Sequence, residues 1–166
     1  AIEKWAPRSG EPEQEEPVFH YEPTIAMMPR LITEFPRYRL IDGAYYLLGY
    51  CLGEQGEEER AVDVYGELVE RYPESRFAAE VWTRIGEYYF AANELELALD
   101  DYTKVLGHYD SPFSGKAMYK LAWTHYRLAD PERAPEEFQK AVDTFVELLD
   151  FNEKTKAEGK AVSYTH

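Results

Sequence analysis

A spaced triplet of residues recurs three times along this chain. Each copy begins with a small residue, has an alanine twelve positions later, and ends with an aromatic residue four positions after the alanine. The copies are Gly49, Ala61 and Tyr65, then Gly86, Ala98 and Tyr102, and finally Ala122, Ala134 and Phe138. They begin 37 and 36 residues apart, and a fixed period of this length is typical of stacked structural repeats. The pattern predicts helical hairpins that pack against their neighbours, an architecture that usually serves to hold partners.

Apolar residues recur at helical spacing through each copy, and proline or glycine residues separate the segments. The predicted segments are a half-repeat at 24–36 and hairpins at about 39–73, 76–110 and 112–150. Within the half-repeat, Pro29 predicts a helix that either begins near Met28 or kinks there. In the third hairpin, Asp130 followed by Pro131 predicts the start of the second helix, as a cap followed by a proline in the first helical position.

Two flanking segments differ in composition from the repeats. Residues 1–23 carry four prolines and an acidic patch, which predicts an extended or disordered lead-in. Residues 151–166 are polar with alternating charges, and we predict either a solvated continuation of the last helix or the edge of a further repeat. The chain begins with Ala1 rather than Met, which indicates a processed chain or a fragment of a longer protein.

The residue types of the triplet suit two closely packed helices. A small residue at Gly49, Gly86 and Ala122 allows the second helix of each hairpin to approach, where a larger side chain would push the helices apart. We predict that Ala61, Ala98 and Ala134 face these small residues. The aromatic residue that follows is predicted to fill the wider space between successive hairpins.

Further positions around the triplet match a known family. The best matches are Tyr45, Leu48, Gly49, Ala61, Tyr65, Pro73, Trp82, Ile85, Gly86, Tyr89, Ala98 and Tyr102. These residues resemble the tetratricopeptide repeat (TPR), and the resemblance covers about residues 21–150. The third copy is looser, with Met118 at the early aromatic position and no closing proline. The resemblance implies an all-α, right-handed α-solenoid of about three hairpins plus flanking helices, and a non-catalytic role in protein–protein interaction.

In TPR proteins the first helix of each hairpin lines a concave groove, so the resemblance also implies a binding site. The exposed groove positions would be Tyr46, Tyr50, Glu87, Phe90, Tyr119, Trp123 and Tyr126. A groove this rich in aromatic residues suits a peptide or helix as ligand. The alternative is that some of these side chains pack within the protein itself, because aromatic residues are as common in cores as in interfaces.

Charge and composition exclude several other functions. The net charge is −14, from 32 acidic and 18 basic residues, so nucleic acid and anionic membrane surfaces are poor partners. This acidity favours solubility or attraction to a basic protein partner. The four histidines and one cysteine show no metal-binding spacing, and no apolar run approaches the length of a membrane span. We therefore expect no enzyme activity, no metal, no cofactor and no insertion of this segment into a membrane.

The joint between the first two hairpins indicates a cellular context. The stretch from Tyr72 to Ala78, with Pro73 and Ser75, is similar to joints in the TPR proteins of bacterial envelopes, of the outer-membrane assembly lipoprotein and Tol–Pal coordinator types. This resemblance predicts a periplasmic or outer-membrane-associated protein, with a cytoplasmic location as the alternative. Two other functions stay open: a self-assembling structural module, and the interaction domain of a larger secretion, motility or enzyme protein.

Overall fold

A computed structural model describes residues 20–108, 110–132 and 134–159. In this part of the chain seven α-helices follow one another and no β-strand is present. The helices are α1 (Glu22–Glu34), α2 (Ile41–Glu54), α3 (Glu58–Arg71), α4 (Ala78–Ala91), α5 (Leu95–Leu106), α6 (Ser114–Leu128) and α7 (Glu136–Ala157). Each helix contacts the next along the chain, and α4 also contacts α6. The described residues thus form one helix, α1, followed by three stacked hairpins, which confirms the predicted all-α solenoid.

Helix α1 begins earlier than predicted, and α7 continues into the polar extension, which is one of the two predicted alternatives. Helix α1 begins at Glu22, with Pro23 in its first turn, so a start near Met28 is wrong. Proline fits the first turn of a helix, where the backbone N–H has no partner inside the helix. Helix α7 continues to Ala157, so the polar extension begins as a helix. The rest of the predicted lead-in, residues 1–19, and residues 160–166 lie outside the described part.

The hydrophobic core of α1 to α6 consists of two clusters that meet at α4. One cluster joins α1 to α4 and includes Leu52, Leu68 and Val81, which are all almost completely buried. A second cluster joins α4, α5 and α6. Trp82 and Tyr89 of α4 pack against both clusters. Because each hairpin buries part of its apolar surface against its neighbours, the hairpins depend on one another for stability.

In the first two hairpins the aromatic residue of the triplet, not the alanine, packs on the glycine. A Cβ atom added to Gly49 would lie 2.4 Å from Cε1 of Tyr65, and one added to Gly86 would lie 2.8 Å from Cε1 of Tyr102. Ala61 instead lies opposite Gly53, because positions run in opposite directions along the two helices of a hairpin. The rings therefore fill the contact within their own hairpin, and the predicted facing position of the alanines is wrong.

The third hairpin departs from the predicted register. Ala134 precedes α7, where its backbone pairs with that of Asp130, and Phe138 is 38% exposed. Within α7 the alanine-then-aromatic spacing recurs at Ala141 and Phe145, and Ala141 is buried. The cause is the long connection at 129–135, compared with 55–57 and 92–94 in the other hairpins. Asp130 caps this turn by accepting a hydrogen bond from the backbone N–H of Glu132 (2.8 Å), so it does not begin α7 as predicted.

A partly buried ion cluster joins α6 to α7. Oε2 of Glu137 lies 2.5 Å from Nδ1 of His125, and Oε1 of Glu137 accepts a hydrogen bond from Nζ of Lys140 at 2.6 Å. Burial alone would raise the pKa of Glu137. The hydrogen bonds from Lys140 and His125, with their positive charges, outweigh burial and lower the pKa below its ordinary value.

We expect Glu137→Gln to destabilise the protein in a pH-dependent way. A lowered pKa means that the folded state favours the ionised carboxylate, so its contribution is complete above the ordinary value of 4.5 and is lost as pH falls through the folded value. At neutral pH the loss should be about 1–2 kcal/mol. Urea unfolding at several acid pH values should show that the difference in unfolding free energy between wild type and Glu137→Gln decreases as the pH falls. The variant Glu136→Gln, at an exposed neighbouring position, should have the same unfolding free energy as wild type at each pH. A difference that does not depend on pH would contradict this interpretation.

Candidate partner-binding site

The first predicted groove residue, Tyr46, packs against the next hairpin. Its ring stacks on that of Phe77, with 4.3 Å between the ring centroids and 10° between the planes. Its hydroxyl donates a hydrogen bond to Oε1 of Glu80 (2.9 Å). Burial and the contact with Glu80 raise the pKa of Tyr46 to about 12. Tyr46 is thus held by the start of α4.

Its neighbour Tyr50, one turn later on α2, is also covered by α4. The guanidinium carbon of Arg84 lies 5.4 Å from the centroid of the Tyr50 ring, within the range of a cation–π contact. Arg84 is fixed in turn by Glu80, whose Oε1 accepts hydrogen bonds from Nε (3.0 Å) and Nη2 (2.7 Å) of the guanidinium.

Helix α6 covers the corresponding face of α4 through its positive charges. Nζ of Lys116 lies 2.9 Å from Oε1 of Glu87, and Nζ of Lys120 lies 3.9 Å from the same atom. The Phe90 ring has Lys120 and Arg127 over it, at 5.3 and 4.3 Å from the ring centroid. Arg127 also donates a hydrogen bond to the backbone oxygen of Phe90 (3.1 Å). Glu87 and Phe90 therefore contribute to packing between hairpins.

The three predicted residues on α6 have a different environment. Tyr119, Trp123 and Tyr126 are 43%, 39% and 52% exposed. Their rings contact one another edge to face, at 6.3 Å between Tyr119 and Trp123 and 5.5 Å between Trp123 and Tyr126. No helix in the described part of the chain follows α7 to cover them. Among the described residues, these three rings form a preassembled surface that no further helix covers.

Helix α7 extends this surface with apolar side chains that the sequence interpretation missed. The ring of Phe145 lies 6.3 Å from that of Tyr119 and 5.8 Å from that of Trp123, while Phe138 lies 6.0 Å from Tyr126. We name the whole surface the α6–α7 aromatic face; its members are Tyr119, Trp123, Tyr126, Phe138, Val142, Phe145, Val146 and Leu149. The signal in the sequence was a second apolar stripe on α7, spaced at helical intervals beside the buried one.

Repeat positions relate the covered residues to the open ones. The first helices α2, α4 and α6 can be aligned by adding 37 and then 36 to the residue number. This alignment gives three sets of equivalent positions: Tyr46, Thr83 and Tyr119; Tyr50, Glu87 and Trp123; and Gly53, Phe90 and Tyr126. On α2 and on α4 this face is covered by the next hairpin. On α6 the equivalent face is not covered by any hairpin among the described residues. The seven predicted residues divide into four that contact the following hairpin and three that no hairpin among the described residues covers.

The described residues give little support for a metal site, a reactive cysteine or a membrane-spanning helix. No three His, Cys, Asp or Glu side chains come together there in a way that could hold a metal ion. Cys51 is buried, and burial raises the pKa of its thiol, as expected for a cysteine that packs as a small apolar residue. None of the helices described here has both the length and the apolar character needed to cross a membrane.

Solved structures share this architecture. A MamA RS-1 ArsTM double mutant has a TM-score of 0.61 and 17% identity, covering 82% of this chain and 68% of that one. MamA 41-end from Desulfovibrio magneticus RS-1 has a TM-score of 0.58 and 16% identity, covering 81% and 67%. MamA AMB-1 in a P212121 crystal has a TM-score of 0.57 and 17% identity, covering 78% and 68%. At these identities the likeness concerns the fold.

Sequence comparison identifies the family. No curated protein matches the chain. A family description of the tetratricopeptide repeat matches residues 43–75, and a second one with the same description matches residues 77–145. The two matches together span more than half of the chain and include both glycine–tyrosine contacts. The chain belongs to the tetratricopeptide repeat family, and it is a protein-interaction module.

Proposed function

We propose that this protein is a non-catalytic scaffold that holds a peptide or protein partner on its first helices, with the main contacts on the α6–α7 aromatic face. The observation that supports this most is the exposure of Tyr119, Trp123 and Tyr126 beside exposed apolar residues of α7. Contiguous apolar patches on soluble proteins commonly mark interaction sites. Tyrosine and tryptophan are also the residues that most often dominate binding energy in interfaces.

The groove positions on α2 and α4 have a supporting role in this proposal. Tyr46, Tyr50, Glu87 and Phe90 are only partly buried, so their remaining surface borders the path from α2 to α6. Their main contacts are with the next hairpin, and they therefore set the spacing between the first helices. A partner that extended along the groove from α6 would contact their exposed parts.

We further propose that this scaffold works within a bacterial cell-envelope assembly. The support is the resemblance of the joint between the first two hairpins to those of envelope TPR proteins. In the structure the Ser75 hydroxyl of this joint donates a hydrogen bond to Oδ2 of Asp42 (2.7 Å) and accepts one from the backbone N–H of Phe77 (3.2 Å). The serine thus fixes the entry into α4. Fractionation of source cells, with detection of the protein in periplasmic, membrane and cytoplasmic fractions, tests the location.

We expect a Tyr119→Ala, Trp123→Ala double variant to bind its protein partner much more weakly than wild type does. Affinity capture from an extract of source cells would compare this variant with wild type and with Leu97→Ala. Leu97 is 45% exposed on α5, outside the α6–α7 aromatic face, so its variant controls for the loss of any exposed apolar side chain. Circular dichroism and thermal unfolding would confirm that all three proteins are folded.

The proposal predicts a partner that wild type and Leu97→Ala retain and that the double variant binds about tenfold more weakly or not at all. Equal capture by all three proteins would place binding elsewhere and contradict the assignment of this face.

A self-assembling module is the second candidate function, because an open end of a solenoid is also a surface on which copies can stack. The net charge of −14 opposes close association of copies. Light scattering on the purified protein separates this candidate from the first.

A further inference from the structure

We propose that the occupant of the α6–α7 aromatic face is a basic amphipathic α-helix of a partner protein. This helix would lie on α6 and α7 as the first helix of another hairpin would, and so extend the solenoid. The inference rests on the proposed function and adds to it the chemical class of the partner. Three observations support it: the way the chain covers its own equivalent faces, the spacing of the charges that do so, and the charges that border the open face.

Each covered face in this protein receives positive charges from the helix above it. Arg84 of α4 lies over the ring of Tyr50 on α2. Lys120 and Arg127 of α6 lie over the ring of Phe90 on α4. The same interaction is thus used twice, and on α6 the rings of Trp123 and Tyr126 occupy the positions equivalent to Tyr50 and Phe90. A cation over the face of a tryptophan or tyrosine is stabilised by the ring quadrupole.

The covering charges follow one stripe of a helix. Lys116, Lys120 and Arg127 are separated by four and seven residues, so they lie on the same side of α6. The adjacent stripe, with Ala117 and Leu121, packs into the core with α5. A helix that covered α6 and α7 in the same way needs Lys or Arg at positions i, i+4 and i+11, next to small and apolar residues.

The border of the open face is acidic on the α7 side. Asp143 lies three residues before Val146, and Asp150 lies four residues after it. Glu153 lies four residues after Leu149. All three acidic side chains are exposed. Residues three or four apart are neighbours on a helix surface, so these carboxylates flank the apolar stripe. They would attract a basic helix.

A second copy of this chain is a weaker occupant on these grounds. Packing two of these faces together would place two sets of Asp143, Asp150 and Glu153 at one interface. It would also join two molecules that each carry a net charge of −14. Like charges at an interface oppose association, while a basic helix meets complementary charge.

The test uses the whole protein and a synthetic helix. The probe is a fluorescein-labelled peptide with the α6 sequence, Ser114–Leu128, held helical by a lactam bridge on its solvent side and checked by circular dichroism. The matched control peptide carries Lys116→Glu, Lys120→Glu and Arg127→Glu. Fluorescence anisotropy would measure the binding of both peptides to wild type, Trp123→Ala and Leu97→Ala proteins, at low and high salt.

We expect saturable binding of the basic peptide to wild type and Leu97→Ala. Binding should weaken about tenfold or more with the charge-reversed peptide or with Trp123→Ala, and it should weaken at high salt. Equal affinity for the two peptides, or no binding of the helical basic peptide, would overturn the proposal. A dimer of the wild-type protein that Trp123→Ala separates in light scattering would also overturn it, in favour of a second copy.

Failure of this inference and failure of the proposed function give different results. If the basic peptide does not bind while the double variant still loses its captured partner, the face binds a partner of another class. If the double variant captures the same partner as wild type, the proposed function itself fails at this face.

Discussion

Gly49→Ala is expected to destabilise the first hairpin by roughly 2–3 kcal/mol or more, although only one methyl group is added. The new Cβ would lie 2.4, 2.6 and 2.9 Å from three carbon atoms of the Tyr65 ring, far inside van der Waals contact. The Tyr65 side chain is 4% exposed and belongs to the first core cluster, so it cannot move without displacing α2 or α3. Gly86→Leu is expected to disrupt the second hairpin for the same reason, against Tyr102.

Urea unfolding would measure this effect, with Gly66→Ala as the matched control. Gly66 lies within α3, and a Cβ there would meet no atom within 4 Å. The same substitution at Gly66 should therefore stabilise the protein by about 0.5–1 kcal/mol, because alanine is the better helix former. A Gly49→Ala variant as stable as wild type would show that the contact between Gly49 and Tyr65 is not tight.

Tyr46→Ala is expected to cost much more stability than Trp123→Ala, although both residues were predicted to lie in one groove. Removing the Tyr46 ring deletes its stack on Phe77 and its hydrogen bond to Glu80, a loss of about 2–4 kcal/mol for a partly buried aromatic side chain. Removing the Trp123 side chain, which is 39% exposed, deletes edge-to-face contacts with the rings of Tyr119, Tyr126 and Phe145 but no contact between hairpins among the described residues, a loss of about 1–2 kcal/mol.

Thermal and urea unfolding of the two single variants, side by side, would check this difference. The comparison distinguishes residues that hold successive hairpins together from residues that are available to a partner. Similar losses in both variants would mean that Trp123 is structural, and the α6–α7 aromatic face would then be a poor candidate for binding.

The fold was predictable because a repeat restricts packing at short range. Gly49 and Gly86 allow two helices to touch, and the tyrosine that fills each gap lies sixteen residues later in the chain. These signals sit within one hairpin and do not depend on distant contacts. What the spacing did not reveal was which residue opposes the glycine, because this depends on the length of the turn and the antiparallel direction of the two helices.

The third hairpin shows where the spacing misleads. Ala134 and Phe138 have the correct offsets from Ala122, but the connection at 129–135 delays the start of α7. Ala141 therefore takes the buried place, and Phe138 becomes part of the open face. Offsets in sequence identify equivalent residues only when the connections have equal length.

The candidate site was predictable only in part, because exposure depends on whether another helix follows. Tyr50 and Trp123 occupy equivalent repeat positions, yet Arg84 of the next hairpin lies over the first, and no further hairpin among the described residues covers the second. The sequence marks both as exposed first-helix positions. Tertiary stacking decides which of them a partner can reach.

Hydroxyl-radical footprinting tests the central claim most directly, because it measures the exposure of individual aromatic side chains. Oxidation would be compared in the free protein and in its complex with the partner recovered by capture. The account predicts that Tyr119, Trp123 and Tyr126 are oxidised readily in the free protein and are protected in the complex, while Tyr46 changes little. Protection at Tyr46 with unchanged oxidation at Trp123 would contradict it and would place the partner on another surface of the solenoid.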